Sequence, residues 1–181
     1  MPPGQALVIG GSGMLAGVSL RIATEGYITT VLGRDISRLG RLVEENERIL
    51  PLSVDYRDYP GLTQAINKLC DNGPVRLVVA WIHSTAPDAL QAVVNVISFR
   101  QSDEWKLFHV LSSISQDPVV TAGLDLPELC EYHQVQLGYE VEGSSRRWLT
   151  DDEISDGIIG AIKSNQAYSV IGKRGAGTRD E

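Results

Sequence analysis

The stretch ALVIGGSGMLAG, residues 6–17, decides the fold. Its first five residues form a short apolar run that predicts a buried β-strand. Helical spacing of apolar residues begins at Leu15 and continues to Glu25, where Gly26 is suited to end a helix. A strand, a glycine-rich turn and a helix therefore follow one another directly at the start of the chain.

The small residues of this turn fit two phosphate-binding patterns. Gly11, Gly13 and Ala16 match G-x-G-x-x-G/A, and Gly10, Gly13 and Ala16 match G-x-x-G-x-x-A equally well. In either register the backbone amides and the helix N-terminus are expected to face a pyrophosphate. A P-loop is excluded because the turn lacks Gly-Lys-Ser/Thr. The expected pyrophosphate contacts are Gly10, Gly11, Ser12, Gly13, Met14 and Leu15.

The rest of the chain repeats the alternation of strand and helix. Further strands are predicted at residues 27–33, 52–54, 75–81 and 105–113, and helices at 37–50, 61–72 and 87–99, the first of these ended by Pro51. Parallel neighbours need crossover helices that cover both faces of a sheet. The pattern thus predicts an α/β fold, a doubly wound, Rossmann-like parallel sheet.

The last third of the chain departs from this pattern. Residues 133–142 alternate polar and apolar side chains, which predicts a sixth strand with one wet face and one covering helix missing. Thr150 and Glu153 form a capping box before a last helix, and residues 167–172 predict a final strand, giving about seven strands. We expect one domain over residues 1–172 and a flexible tail over 173–181.

Charge and composition exclude several classes of partner. The chain has 16 Lys plus Arg against 23 Asp plus Glu, a formal net charge of −7, which argues against nucleic acid. No apolar run reaches the roughly 18 residues of a membrane span. The spacing of the two cysteines, Cys70 and Cys130, matches no metal motif and indicates reduced thiols in a cytoplasmic protein.

The residues after the second strand bear on the cofactor. The sequence there is LGRD, with Arg34 followed by Asp35. An arginine at this position pairs with the 2′-phosphate of NADP, whereas an acidic residue accepts the ribose 2′-OH of NAD. We favour NADP(H) over NAD(H); in the alternative, Arg34 points to solvent and Asp35 takes the ribose.

Taken in order, these motifs resemble the short-chain dehydrogenase/reductase family. GGSGML resembles the family's TGGTGxxG loop, GR its NADP-preferring subgroup, and VDYRD its third-strand end, which implies that Asp55 and Tyr56 lie at the adenine. VLSSIS resembles the segment of the catalytic serine, which implies that Ser112 or Ser113 is the counterpart of that serine; we assign Ser112 to cofactor binding and Ser113 to orienting substrate. Where the family reads NNAG, this chain has Trp81, Ile82 and His83, which then also line the cofactor site.

The chain also departs from the family at its proton-transfer pair. The family carries Tyr-x-x-x-Lys on one helix, but here the only candidate is Tyr132 with Gln136 in the lysine position, inside a predicted strand. A neutral amide cannot lower the pKa of a phenol as a lysine does. The resemblance is therefore to an atypical, shortened member, with His83 or Tyr132 as the candidate proton donor beside Ser113.

Three functions remain open at this point. The first is an NADP-dependent oxidoreductase acting on a small carbonyl or alcohol substrate, and the second is a non-catalytic NADP(H)-binding regulatory or partner subunit. The third is a scaffold whose glycine loop binds nothing. If the wet face of the sixth strand is open, a second copy is expected to cover it in a homodimer.

Overall fold

The computed structural model describes residues 4–112 and 123–173. The strands are β1 (Gln5–Ile9), β2 (Ile28–Gly33), β3 (Ile49–Ser53), β4 (Val75–Ala80), β5 (Trp105–Leu111), β6 (Cys130–Leu137), β7 (Tyr139–Glu142), β8 (Ser145–Trp148) and β9 (Tyr168–Ile171). The helices are α1 (Ala16–Thr24), α2 (Ile36–Glu45), α3 (Tyr59–Cys70), α4 (Ala89–Arg100) and α5 (Asp151–Ser164).

The predicted parallel sheet is confirmed. A 7-stranded sheet has the order β3-β2-β1-β4-β5-β6-β9, and every neighbouring pair is parallel. The strand order reverses between β1 and β4, which is where an open α/β sheet forms a crevice at the carboxyl ends of its strands. The glycine loop leaves β1 directly into this crevice.

Helices cover both faces of the sheet. On one face, α1 and α5 pack over the centre of the sheet, through residues such as Val18 and Ile158, and α2 packs against β2 and β3. On the other face, α3 and α4 pack together through residues such as Ile66 and Val93. β1 lies between these layers with all five residues buried, so it holds the start of the glycine loop rigidly.

The predicted end of the second helix is wrong. α2 ends at Glu45, because Asn46 is extended (φ −150°, ψ 120°), and Pro51 lies within β3 instead of stopping a helix. β3 is an edge strand that pairs with β2 alone. Proline is tolerated on an edge strand because its missing N–H would have faced outward.

The predicted sixth strand is in fact two strands, and its face is not wet. β6 ends at Leu137, and β7 pairs with β8 in a separate antiparallel hairpin. Gln134 and Gln136 are only 5% and 4% exposed. Leu124 and Leu126 pack against the core on this side of the sheet. The open face on which the homodimer was inferred is therefore covered within one chain.

The missing helix before the sixth strand and the flexible tail over residues 173–181 are two expectations that involve residues outside the described part of the chain. Between β5 and β6, the described residues 112 and 123–129 contain no helix, and residues 113–122 lie outside the description. Lys173 forms a β-bridge with Tyr139, and the tail beyond it lies outside the described residues. Over 4–112 and 123–173, no helix combines the length and the apolar character that crossing a membrane requires.

Candidate functional site

The glycines of the opening loop have different surroundings. Gly10 has φ +80°, and a Cβ there would lie 2.8 Å from the carbonyl oxygen of Trp81. A Cβ on Gly11 would lie 2.6 Å from Ser19 Oγ, inside the contact between α1 and the sheet. A Cβ on Gly13 would meet only Arg38 Nη1, at 3.6 Å. Gly10 therefore makes the turn, Gly11 allows close packing, and Gly13 leaves room above the loop.

The N-terminus of α1 opens onto this loop. Leu15 occupies the N-cap, and no side chain makes a capping hydrogen bond there. The first turn contains no acidic residue. Unpaired N–H groups and the positive end of the helix dipole favour an anion at such a terminus. Loop and helix together offer the backbone donors that a pyrophosphate would require.

The end of β2 separates the roles of Arg34 and Asp35. Asp35 is the N-cap of α2, where its Oδ1 accepts a hydrogen bond of 3.1 Å from the amide of Arg38. Arg34 points elsewhere, with Nη1 3.8 Å from Asp55 Oδ2. Ser12 Oγ lies 2.5 Å from where a Cβ on Gly33 would sit. Arg34 and Ser12 thus converge on the end of β2, whereas Asp35 is already occupied.

Asp55 is held by a residue that the sequence analysis did not identify. Arg57 makes a bidentate pair with it, Nε to Oδ1 at 3.0 Å and Nη2 to Oδ2 at 2.6 Å. These hydrogen bonds, more than the nearby charges of Arg57 and Arg34, lower the pKa of Asp55 to about 2. In the motif VDYRD, Arg57 follows Asp55 by two residues, but this spacing alone does not specify that the two side chains pair.

A cavity of about 270 Å³ brings several predicted residues together. It is lined by Arg34, Tyr56, Arg57, Trp81, His83 and Thr85. The amide of His83 donates to Tyr56 Oη at 3.3 Å, which ties the end of β4 to the loop after β3. The amide of Thr85 donates to His83 Nδ1 at 3.4 Å, so the proton of the neutral ring is on Nε2. Ile82 instead packs against the apolar core.

The ends of β5 and β6 form a second part of the crevice. Ser112 is exposed, and its carbonyl oxygen accepts a hydrogen bond of 2.6 Å from Gln136 Nε2. Gln136, four residues after Tyr132 on β6, fixes the backbone of this strand end through its side chain. Ser113, predicted to orient substrate, lies outside the described residues.

Tyr132 lies deeper in the sheet than the other candidates. It pairs with Leu107, four residues before the end of β5, and its Oη is 2.9 Å from His109 Nδ1. Burial raises the pKa of Tyr132 to about 12 and lowers that of His109 to about 4. Because β6 is a strand, Tyr132 and Gln136 lie about 13 Å apart along it. The structure brings His83 together with Arg34, and it does not bring Tyr132 to them.

The described residues offer no metal centre: within 4–112 and 123–173, no three His, Cys, Asp or Glu side chains cluster as metal ligands would. The residues around the crevice are instead glycines, arginines, aromatic rings and hydroxyls.

Comparison with known proteins identifies the fold. Protein-family profiles give no match to the sequence, and curated protein sequences give none either. Among solved structures, a variant of actinorhodin polyketide ketoreductase with NADPH superposes with a TM-score of 0.70 at 13% identity, covering 94% of this chain and 96% of that one.

Two further solved structures agree with it. A citronellol catabolism dehydrogenase from Pseudomonas aeruginosa PAO1 gives a TM-score of 0.68 at 13% identity, with 92% of each chain covered. A short-chain dehydrogenase/reductase from Burkholderia phymatum in complex with NAD gives 0.67 at 11% identity, covering 93% of this chain and 89% of that one. The chain therefore has the Rossmann-like fold of the short-chain dehydrogenases/reductases.

Proposed function

We propose that this protein binds NADP(H) at the carboxyl edge of its sheet and acts as an oxidoreductase on a small carbonyl or alcohol substrate. The observation that carries the proposal is that Arg34 and Asp35, the two residues after β2, make different contacts. Asp35 Oδ1 caps α2, and its Oδ2 lies 3.4 Å from Arg38 Nε, so both oxygens already have partners that a ribose 2′-OH would have to compete with. Arg34 lines the cavity beside Arg57. An arginine, not a carboxylate, thus faces the expected position of the ribose.

The residues present fit a nicotinamide dinucleotide. The space above Gly13 and the uncapped N-terminus of α1 suit a pyrophosphate. Ser12 and Arg34 suit a 2′-phosphate, since a guanidinium pairs strongly with phosphate oxygens. Arg38, whose Nη1 lies over Gly13, adds a positive charge to the same edge. When bound, the cofactor supplies or accepts the hydride.

Proton transfer is assigned to His83 in this proposal. Its ring is exposed at the end of β4, with the proton on Nε2 and Nδ1 occupied by the Thr85 amide. A histidine can exchange a proton near neutral pH. Tyr132 is less suited, because its pKa of about 12 is far from the operating pH. The substrate is oriented by Ser112, which is exposed directly after β5, or by Ser113, the next residue in the sequence.

Calorimetric titration with NADPH and NADH tests the cofactor assignment. Arg34→Ala removes a charged partner of the 2′-phosphate, so the affinity for NADPH should fall about 10- to 100-fold while that for NADH changes little. Arg41→Ala, an exposed arginine on α2, the helix that follows Arg34, is the matched control and should leave both affinities unchanged. Equal weakening of both cofactors by Arg34→Ala would show that Arg34 does not read the phosphate.

The assignment of His83 has its own test. In His83→Gln turnover with small ketones or aldehydes should fall about 100-fold or more, the usual contribution of a general acid, while the affinity for NADPH, whose cavity His83 lines, should fall by much less. A loss of NADPH affinity with unchanged turnover would make His83 a cofactor contact and not the proton donor.

One observation favours a second function, a non-catalytic NADP(H)-binding subunit. Gln136 is engaged with the backbone of Ser112, and Tyr132 with His109. Neither side chain is placed as an activated tyrosine–cation pair. A single-turnover experiment with bound NADPH and a carbonyl panel separates the two functions. Cofactor that binds tightly but is never oxidised would establish the non-catalytic one.

A further inference from the structure

Four polar side chains lie together on the face of the sheet that α3 and α4 cover. This polar row consists of His109 on β5 and of Tyr132, Gln134 and Gln136 on β6. Residues at every second position of a strand share a face, and the register sets His109 opposite Gln134. Deeper on the same face, Trp105, Leu107 and Cys130 are apolar and buried. The face therefore changes from apolar to polar toward the carboxyl ends of the strands.

Three side chains of the polar row are buried, and two of these have a polar atom without a hydrogen-bond partner among the described residues. The exposed fraction is 9% for His109, 5% for Gln134 and 4% for Gln136. Gln134 Nε2 and Gln136 Oε1 have no hydrogen-bond partner among residues 4–112 and 123–173. A buried polar atom without a partner is costly, and native proteins usually provide one. One of these atoms is a donor and the other an acceptor.

The row begins at the crevice itself. Gln136 lies opposite Leu111, the last residue of β5, and bonds the carbonyl oxygen of the exposed Ser112. Gln134 lies two residues deeper on the same face, about 7 Å along the strand. Ligands of open α/β sheets bind at these carboxyl ends. The two unpaired atoms, Gln136 Oε1 and Gln134 Nε2, therefore belong to residues that follow one another inward from the crevice where a substrate would enter.

We propose that Gln134 and Gln136 bind a hydroxyl group of the substrate, which makes the substrate a small hydroxylated carbonyl compound or polyol and not an unfunctionalised ketone or alcohol. This inference rests on the proposed function. A hydroxyl both donates and accepts hydrogen bonds, so it complements Gln136 Oε1 and Gln134 Nε2. An ordered water has the same chemistry, and the experiment distinguishes the two.

The test measures the affinities of glycerol and acetone by ligand-observed NMR, with and without NADP⁺. The wild-type protein should bind glycerol about fivefold or more tightly than acetone, which has no hydroxyl group, the difference being that of one hydrogen bond. Gln134→Leu should reduce the glycerol affinity about fivefold and leave the affinities for acetone and NADPH unchanged. Gln64→Leu, at an exposed position on α3, is the matched control and should change none of them.

Two results would overturn the proposal. The first is a wild-type protein that does not bind glycerol more tightly than acetone. The second is a Gln134→Leu protein that keeps the full discrimination, which would mean that the substrate hydroxyl does not contact Gln134 and that this amide serves a water or the fold alone. Gln134→Met, which is unbranched like glutamine, replaces the leucine variant if the latter does not fold. Absence of NADPH binding with glycerol discrimination intact would contradict the proposed function and leave the polyol site standing.

Discussion

At the residue scale, Gly11 and Gly13 are only two positions apart in the sequence, but Gly11 is closely packed and Gly13 is not. A Cβ on Gly11 would lie 2.8 Å from both Val8 Cγ1 and Val31 Cγ1, and nearer still to Ser19 Oγ. Overpacking a closely packed contact costs about 1–3 kcal/mol. We therefore expect Gly11→Ala to lower the free energy of unfolding by this amount in urea denaturation. An unchanged denaturation midpoint would mean that α1 moves away from the sheet without cost.

Gly13→Ala is expected to leave the stability of the protein unchanged and to weaken the binding of the cofactor. Its added methyl group meets only a flexible guanidinium end, at 3.6 Å, so the denaturation midpoint should match that of the wild type. The same methyl group occupies the space above the loop, where a pyrophosphate would approach the backbone. Calorimetry should show NADPH affinity reduced about tenfold or more. Full affinity in this variant would place the pyrophosphate elsewhere.

Arg57 shows why part of the site is not visible in the sequence. The roles of Gly13 and Arg34 follow from their distance along the chain from a predicted strand, because the local unit of strand, loop and helix fixes them. Arg57 acts by folding back on Asp55 with a bidentate pair. That contact depends on the shape of the loop after β3, which the motif VDYRD does not specify.

At the element scale, α5 has a capping box that one substitution can test. Thr150 Oγ1 accepts from the Glu153 amide at 3.2 Å, and Glu153 Oε2 accepts from the Thr150 amide at 2.8 Å. Thr150→Ala should lower the free energy of unfolding by about 1 kcal/mol, measured by urea denaturation. Asp88 is the N-cap of α4 but makes no side-chain capping bond, so Asp88→Ala is the control. Equal losses in the two variants would contradict a specific role for the box.

The elements that were predicted correctly are those whose signal is local. The capping box is contained in four consecutive residues, and the glycine loop in seven. The end of α2 was wrong because a proline can sit in an edge strand, and edge position is a property of the whole sheet. The division of β6 from β7 was also missed, because Gly138 is packed against the backbone of Lys173, which is distant in sequence.

At the scale of the whole molecule, the alternation of polar and apolar residues in β6 does not determine whether its polar face is exposed, because that depends on what packs over the sheet. Alternating polar residues predict a wet face, yet Gln134 and Gln136 are covered within the chain. On the same face of the sheet, Leu124 and Leu126 from the segment before β6 pack against the apolar core, and the sequence of this segment carries no helical or strand period. The doubly wound sheet itself was predictable, since its repeated units need only local patterns and the rule that parallel strands require crossovers.

His109 links this burial to the stability of the whole protein. Burial lowers its pKa from the ordinary 6.5 to about 4, so the unfolded chain binds a proton that the folded chain does not accept. This contribution to stability is complete above about pH 6.5 and is lost as the pH falls toward 4. Over that window the free energy of unfolding should decrease by about 3 kcal/mol.

The measurement is urea denaturation at about pH 7, 6 and 5, where few carboxylates titrate in either state. His109→Gln keeps a hydrogen-bonding group near Tyr132 but cannot be protonated, so its stability should fall less steeply with acidification than that of the wild type. His83→Gln is the control, because that ring is exposed, and it should retain the wild-type slope. A slope unchanged in His109→Gln would mean that the folded protein accommodates the imidazolium, and that the polar row is open to water and not enclosed.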